Sequence, residues 1–152
     1  MSSRRRSREL AMQALFFMDM AQNLSGDMLT LYCNNFMVAK KVDPFFYTLS
    51  QGVMDMQPRI DRIIERFSSH WKIKRMSCVD RNIIRIAVFE MLFCKDIPPK
   101  VSINEAIDVG KKYGNDDSGA FINGILDSIR IAMEKNELEN DRENRANHTN
   151  QM

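Results

Sequence analysis

The stretch SCVDRNIIRIAVFEMLFCKDIPP, residues 77–99, decides the fold. Its apolar residues Ile83, Ile84, Ala87, Val88, Met91 and Leu92 recur every three to four positions, the spacing of a helix face and not the alternation of a strand. Ser77 stands three residues before Asp80, a variant of the capping box that opens a helix. Ile86 and Phe89 fall outside the main stripe, so this helix is apolar around much of its circumference and is expected to pack on several sides. Ile97, Pro98 and Pro99 end it, because proline lacks the N–H that would continue the helical ladder. The segment reads as the central helix of a helical protein.

Working towards the C-terminus, residues 101–113 form another helical pattern that stops at Gly114, a residue suited to a left-handed C-cap. A last helix starts near Asp117 or Ser118 and turns Ile122, Ile125, Leu126, Ile129 and Met133 inwards. Towards the N-terminus, Ile60, Ile63, Ile64 and Phe67 trace a stripe just after Pro58. That series either continues an earlier helix through a kink or begins a new one. Asp43 and Pro44 make an N-cap and first-turn proline ahead of Phe45, Phe46, Leu49, Val53 and Met56. Leu29, Tyr32, Cys33 and Phe36 mark a shorter helix behind the turn at Ser25, Gly26 and Asp27. Leu10, Ala11, Ala14, Leu15, Met18 and Ala21 mark the first. The expected fold class is all-α, a bundle of six to seven helices with short connections, no strands and no internal repeat.

With 152 residues, 44% hydrophobic and 28% charged, the chain suffices for one domain with a proper core. Residues 1–134 are expected to form that domain. Residues 135–152, rich in Asn and Glu and poor in large apolar groups after Leu138, are expected to be a disordered tail. Cys33, Cys78 and Cys94 are odd in number and far apart, which suggests neither a disulfide framework nor a zinc site and fits a reducing cytoplasm. The two histidines, His70 and His148, offer little to a transition metal or a nucleophile system, and no cofactor is expected. No apolar run has the length of a membrane span, and charge interrupts the N-terminus too early for a secretory signal.

Catalytic patterns are missing: there is no GxSxG elbow, Walker loop, GxGxxG, HExxH or zinc-deaminase spacing. A binding protein fits better than an enzyme. The net charge is only +2, but Arg4, Arg5, Arg6 and Arg8 cluster at the start of the first helix. Guanidinium groups grip phosphate oxygens in bidentate fashion, and Gln13, one heptad from Arg6, adds an amide able to pair with base edges. The other reading is a solubilising basic N-terminus placed at the positive end of a helix dipole. Asp117 and Phe121 share one side of the last helix, where a ring can stack on an unpaired base and a carboxylate can accept from base amino groups. Their ordinary roles would be an N-cap and a core residue. Arg81 and Arg85 read as an outward pair on adjacent turns.

Four segments together carry a resemblance: RRRSRELAMQALF at 4–16, DRNIIRIAVFEML at 80–92, IPPKVSINEAIDVGKKYG at 97–114 and SGAFINGILDSI at 118–129. In this order they resemble the NusB family of transcription factors. The resemblance implies an all-α fold of two packed helical subdomains without enzymatic activity. It implies a partner, the small-ribosomal-subunit protein NusE, and single-stranded boxA RNA of nascent ribosomal transcripts, within an RNA polymerase antitermination complex. It also implies RNA contacts by Arg4, Arg5, Arg6, Arg8, Gln13, Arg85, Asp117 and Phe121, and associates Asp80 with the NusE interface. Ala120 departs from the pattern, standing where some relatives carry a basic residue, which removes one phosphate contact. A similar fold occurs as the N-terminal domain of ribosomal RNA cytosine methyltransferases, fused there to a cofactor-binding catalytic domain; these 152 residues hold no Rossmann-type segment, so, unless they are a fragment, that enzyme reading is not expected. Self-association is left open, since family members differ in forming a homodimer, and a dimer could cover the arginine face.

Overall fold

The computed structural model describes residues 3–36, 42–69 and 71–138, and among them places six α-helices and no strand. These are α1 (Ser3–Met20), α2 (Gly26–Phe36), α3 (Pro44–Phe67), α4 (Cys78–Phe93), α5 (Pro99–Tyr113) and α6 (Ser118–Glu134), with a 3₁₀ turn at Ile73–Arg75 between α3 and α4. Local chemistry sets several boundaries. The Asp43 carboxylate accepts from the Phe45 N–H at 2.9 Å and Pro44 follows it, as the sequence predicts. The Ser77 hydroxyl accepts from the Asp80 N–H at 3.1 Å to open α4.

Helix α4 is the axis of the molecule. Nine consecutive residues, Ile83 to Met91, are buried, and the helix packs against α1, α3, α5 and α6. The two helical groups, α1–α3 and α4–α6, share one continuous core in which Leu15, Met18, Phe46, Leu49, Ile60, Ile84, Leu126 and Ile129 are fully enclosed. Close approach of α3 to α4 requires Gly52, because a Cβ there would fall 2.1 Å from Cζ of Phe89.

Pro58 does not divide α3. It lies on the exposed side of a single helix, where water can replace the ladder bond it removes. Gly114 also departs from its sequence reading. Its φ of −92° and ψ of −159° are extended and not left-handed. Glycine is required there for room: a Cβ would lie 2.2 Å from Ser118 Oγ and 2.7 Å from the Gly110 carbonyl oxygen. Beyond Glu134 the chain turns and buries Leu138, so part of the segment assigned to the tail belongs with the core. Residues 139–152 lie outside the described residues.

Candidate nucleic-acid interface

Four arginines begin α1, and the helix wheel sends them in different directions. Arg6 is 57% exposed, with Glu9 3.9 Å away. Arg4 reaches Asp96 at 3.2 Å and lies over the Phe45 ring. Arg5 donates to Glu105 at 2.9 Å and to Asp108 at 2.7 Å. These three remain at least partly exposed at the positive end of α1, where their charge adds to that of the free backbone N–H groups. Carboxylates from α5 and the α4–α5 connection relieve the resulting repulsion.

Arg8 is buried. Its Nη2 donates to Glu90 Oε1 at 2.6 Å and its Nε bridges both Glu90 oxygens, while the Ser102 hydroxyl donates to the same carboxylate at 3.1 Å. Arg8 therefore clamps α1 to α4 and α5 from inside. Its charge does not reach the surface.

Arg85 corrects the sequence reading in the same way. It is 3% exposed, not outward, and its Nε and Nη2 donate to the two oxygens of Asp61 at 2.8 and 2.9 Å. Arg81 is also turned in, and its Nε donates to Asp19 at 2.6 Å. Asp19 Oδ2 additionally accepts from Asn82 at 2.9 Å and from Arg85 at 3.0 Å, which ties the end of α1 to α4. Burial alone would raise the Asp19 pKa. Hydrogen bonds from Arg81 and Asn82 and the charges of Arg85 and Arg81 outweigh it and hold the carboxyl below its ordinary value. The folded protein thus binds this proton less readily than the unfolded chain does. The network's contribution is complete above the ordinary carboxylate range and is lost as pH falls through that range towards the lower folded value. We expect Asp19→Asn to flatten the stability profile between about pH 5 and 2, measured as urea midpoints at successive pH values. An unchanged acid limb would contradict this.

The remaining positions assemble across three helices. Gln13 donates to the Tyr113 hydroxyl at 3.2 Å, and Lys112 donates to Glu9 at 2.9 Å, so the end of α5 lies against the outer flank of α1. Lys111 in turn crosses to α6, its Cε 3.5 Å from where a Gly119 side chain would begin. Asp117 sits at the N-cap position of α6 but makes no side-chain capping bond. Asn115 and Ser118 organise that turn instead, and the Asp117 carboxylate is exposed. Phe121 is half-buried, with its ring 6.3 Å from that of Trp71 at 81°. Ala120 is exposed between them in sequence and supplies no charge. One surface thus joins Arg5, Arg6, Gln13, Lys111, Lys112 and the start of α6. Sequence reasoning passed over Lys111, Lys112 and Tyr113, although KKYG lies within one of the quoted segments.

A second feature adjoins the α1 flank. An open groove of about 860 Å³ runs from Arg6 and Gln13 past Phe16, Met20, Phe36 and Val79. Phe16, Met20 and Phe36 are exposed apolar groups of the kind that mark interaction surfaces. Asp80, beside Val79, is buried, and its Oδ1 accepts no hydrogen bond among the described residues. The three cysteines have thiols pushed up chiefly by burial, which disfavours the nucleophilic thiolate. Among the described residues no His, Cys, Asp and Glu cluster could hold a metal, and no helix is long and apolar enough to cross a membrane.

The chain is 53% identical over 137 residues to the transcription antitermination protein NusB of Desulfatibacillum aliphaticivorans, covering 90% of this chain and 96% of the relative. It is 42% identical over 139 residues to that of Myxococcus xanthus, covering 89% and 99%. Among solved structures it matches T. maritima NusB with a TM-score of 0.73 and 37% identity over 83% of this chain and 89% of the other. It also matches a chain in the crystal structure of antitermination factors NusB and NusE with double-stranded RNA, at a TM-score of 0.75 and 28% identity, covering 87% and 98%. The NusB family model matches residues 5–130, and the chain belongs to that family.

Proposed function

We propose that this protein is a non-catalytic RNA-binding transcription antitermination factor of the bacterial cytoplasm. With NusE it binds boxA-type single-stranded RNA of nascent ribosomal transcripts and, within an RNA polymerase antitermination complex, supports their complete synthesis. The observation that carries the reading is the continuity of cationic, amide and aromatic groups from the start of α1 across the end of α5 to Phe121. In this reading Arg4, Arg5, Arg6 and Lys112 take phosphate oxygens. Gln13 and Asp117 meet base edges, and Phe121 stacks on a base. Arg8 and Arg85 act through placement: both are buried in ion pairs, and they hold α1 and α4 in the relative position that the surface needs.

The apolar groove supports a protein partner on the adjoining face. An aromatic and methionine lining suits a protein that supplies apolar side chains. We assign this face to NusE, and associate Asp80, the chain neighbour of the lining residue Val79, with the same interface. A second copy of the chain competing for it would make RNA affinity fall as protein concentration rises.

The test is fluorescence anisotropy with a boxA-like RNA and a scrambled control, with and without NusE, across a salt series. Preferential binding that strengthens with NusE is expected. Changing Arg5 and Arg6 together to alanine should reduce the slope of log affinity against log salt by up to about 1.4, roughly 0.7 per lost phosphate contact on a single strand. An unchanged slope would remove the arginine assignment. Equal, weak binding of both RNAs in every condition would remove the RNA reading itself.

A further inference from the structure

The connection between α3 and α4 carries a group that the RNA surface has not yet used. Trp71 is 51% exposed, an unusual position for the largest apolar side chain. Its backbone is fixed. The Trp71 N–H donates to the Ser68 carbonyl at 3.2 Å, the Ser68 hydroxyl donates to the Trp71 carbonyl at 2.5 Å, and the Ile73 N–H donates to Glu65 at 3.0 Å. Ile73 and Met76 are buried and anchor the segment to the core. Between and beside these anchors Lys72, Lys74 and Arg75 are exposed, with no ion pair among the described residues. An aromatic ring held on a pinned backbone among free cations is the arrangement that tracks single-stranded nucleic acid: the cations follow phosphates while the ring takes a base. It is preorganised, so little freedom is lost on binding.

We propose that Trp71 is a second base-stacking residue for single-stranded RNA. Lys72, Lys74 and Arg75 carry the phosphate track beyond Phe121 onto the α3–α4 connection. The inference rests on the RNA-binding reading above and extends it. Its warrant is continuity, since the Trp71 and Phe121 rings are in contact at 6.3 Å between centroids. Their 81° angle forms a step and not a single platform, so bases stacked on the two rings cannot lie parallel and the strand must bend between them. The charge is complementary to RNA, and unlike Arg4 and Arg5 these cations have no carboxylate partner to give up among the described residues.

Trp71 is the only tryptophan in the chain, which makes it its own reporter. The experiment titrates a boxA-like RNA of about a dozen nucleotides, and versions shortened from either end, into the protein with NusE at saturation. RNA anisotropy and tryptophan emission are followed together, with a Trp71→Phe sample subtracted to isolate Trp71. Quenching is expected with the same midpoint as the anisotropy change. Trp71→Leu should weaken the long RNA by roughly five- to hundredfold, as expected for one stacked base, while Trp71→Phe keeps most of the affinity. Shortening one end, and not the other, should abolish the difference between wild type and Trp71→Leu. Unchanged affinity in Trp71→Leu overturns the inference whether or not the emission responds, and leaves the RNA reading standing. Failure of the wild-type complex to bind any of the RNAs overturns both.

Discussion

Replacing Glu90 with alanine will destabilise the protein by about 3–5 kcal/mol, seen as a lower urea midpoint at unchanged slope. Glu90 is 1% exposed and Arg8 is 5% exposed. The two exchange three hydrogen bonds of 2.6–3.1 Å, and Ser102 donates a fourth to Glu90. Without the carboxylate, the Arg8 guanidinium stays enclosed with, among the described residues, only Glu105, 3.9 Å away, as an ion-pair partner. A charge stranded in a poor solvent, more than the attraction lost, sets the size of the effect. A loss below about 1 kcal/mol, the size of a surface ion pair, would show that Arg8 escapes to water and that the clamp is dispensable. The paired change Arg8→Met with Glu90→Leu removes both charges at similar volume and should recover most of the stability. It should also leave RNA affinity near wild type, because Arg8 positions α1 without touching RNA. Recovered stability with lost affinity would return Arg8 to the contact surface.

Phe121→Leu should weaken RNA binding by about 1–3 kcal/mol, roughly five- to hundredfold, with little change in the unfolding midpoint. Leucine keeps the apolar contact that half-buried Phe121 makes with the core but has no π face for a base. The loss should be the same at low and high salt, since stacking releases no counterions. The Arg5 and Arg6 changes act in the opposite manner, through the salt slope. Comparing the two series at matched RNA concentration therefore separates base contact from phosphate contact. If Phe121→Leu binds as wild type does, the ring serves only to cover the core beside Trp71.

Much of the fold was legible in the sequence because buried faces repeat with the helix. The stripes at Leu10 to Met18, at Ile83 to Leu92 and at Ile122 to Ile129 fall inside α1, α4 and α6, and the caps at Asp43 and Ser77 form as read. Pro58 stayed undecided because whether a proline ends a helix depends on whether its lost bond faces water, and that is a tertiary fact. Gly114 was read as a backbone requirement when the constraint is the approach of Ser118. The largest gap lies in the arginines. A charged residue on a helical wheel is placed outward by default, and nothing local to Arg8 or Arg85 marks them as buried. Their partners Glu90 and Asp61 are 82 and 24 residues away in the chain. For the same reason the surface formed by Gln13, Lys112 and Tyr113 was invisible, since only folding lays α5 along α1.

The carboxylates that sit on the cationic surface have a consequence for which nucleic acids this protein tolerates. Arg4, Arg5 and Lys112 already hold Asp96, Glu105, Asp108 and Glu9. These act as tethered counter-ions whose local concentration never falls. A passing polyanion that offers only phosphates exchanges one anionic neighbour for another and gains little. A strand that also offers a base to an aromatic ring, or an edge to an amide, tips that exchange. On the proposed RNA reading, this internal competition should disfavour nucleic acids that offer phosphates alone, and a net charge of only +2 accords with that expectation.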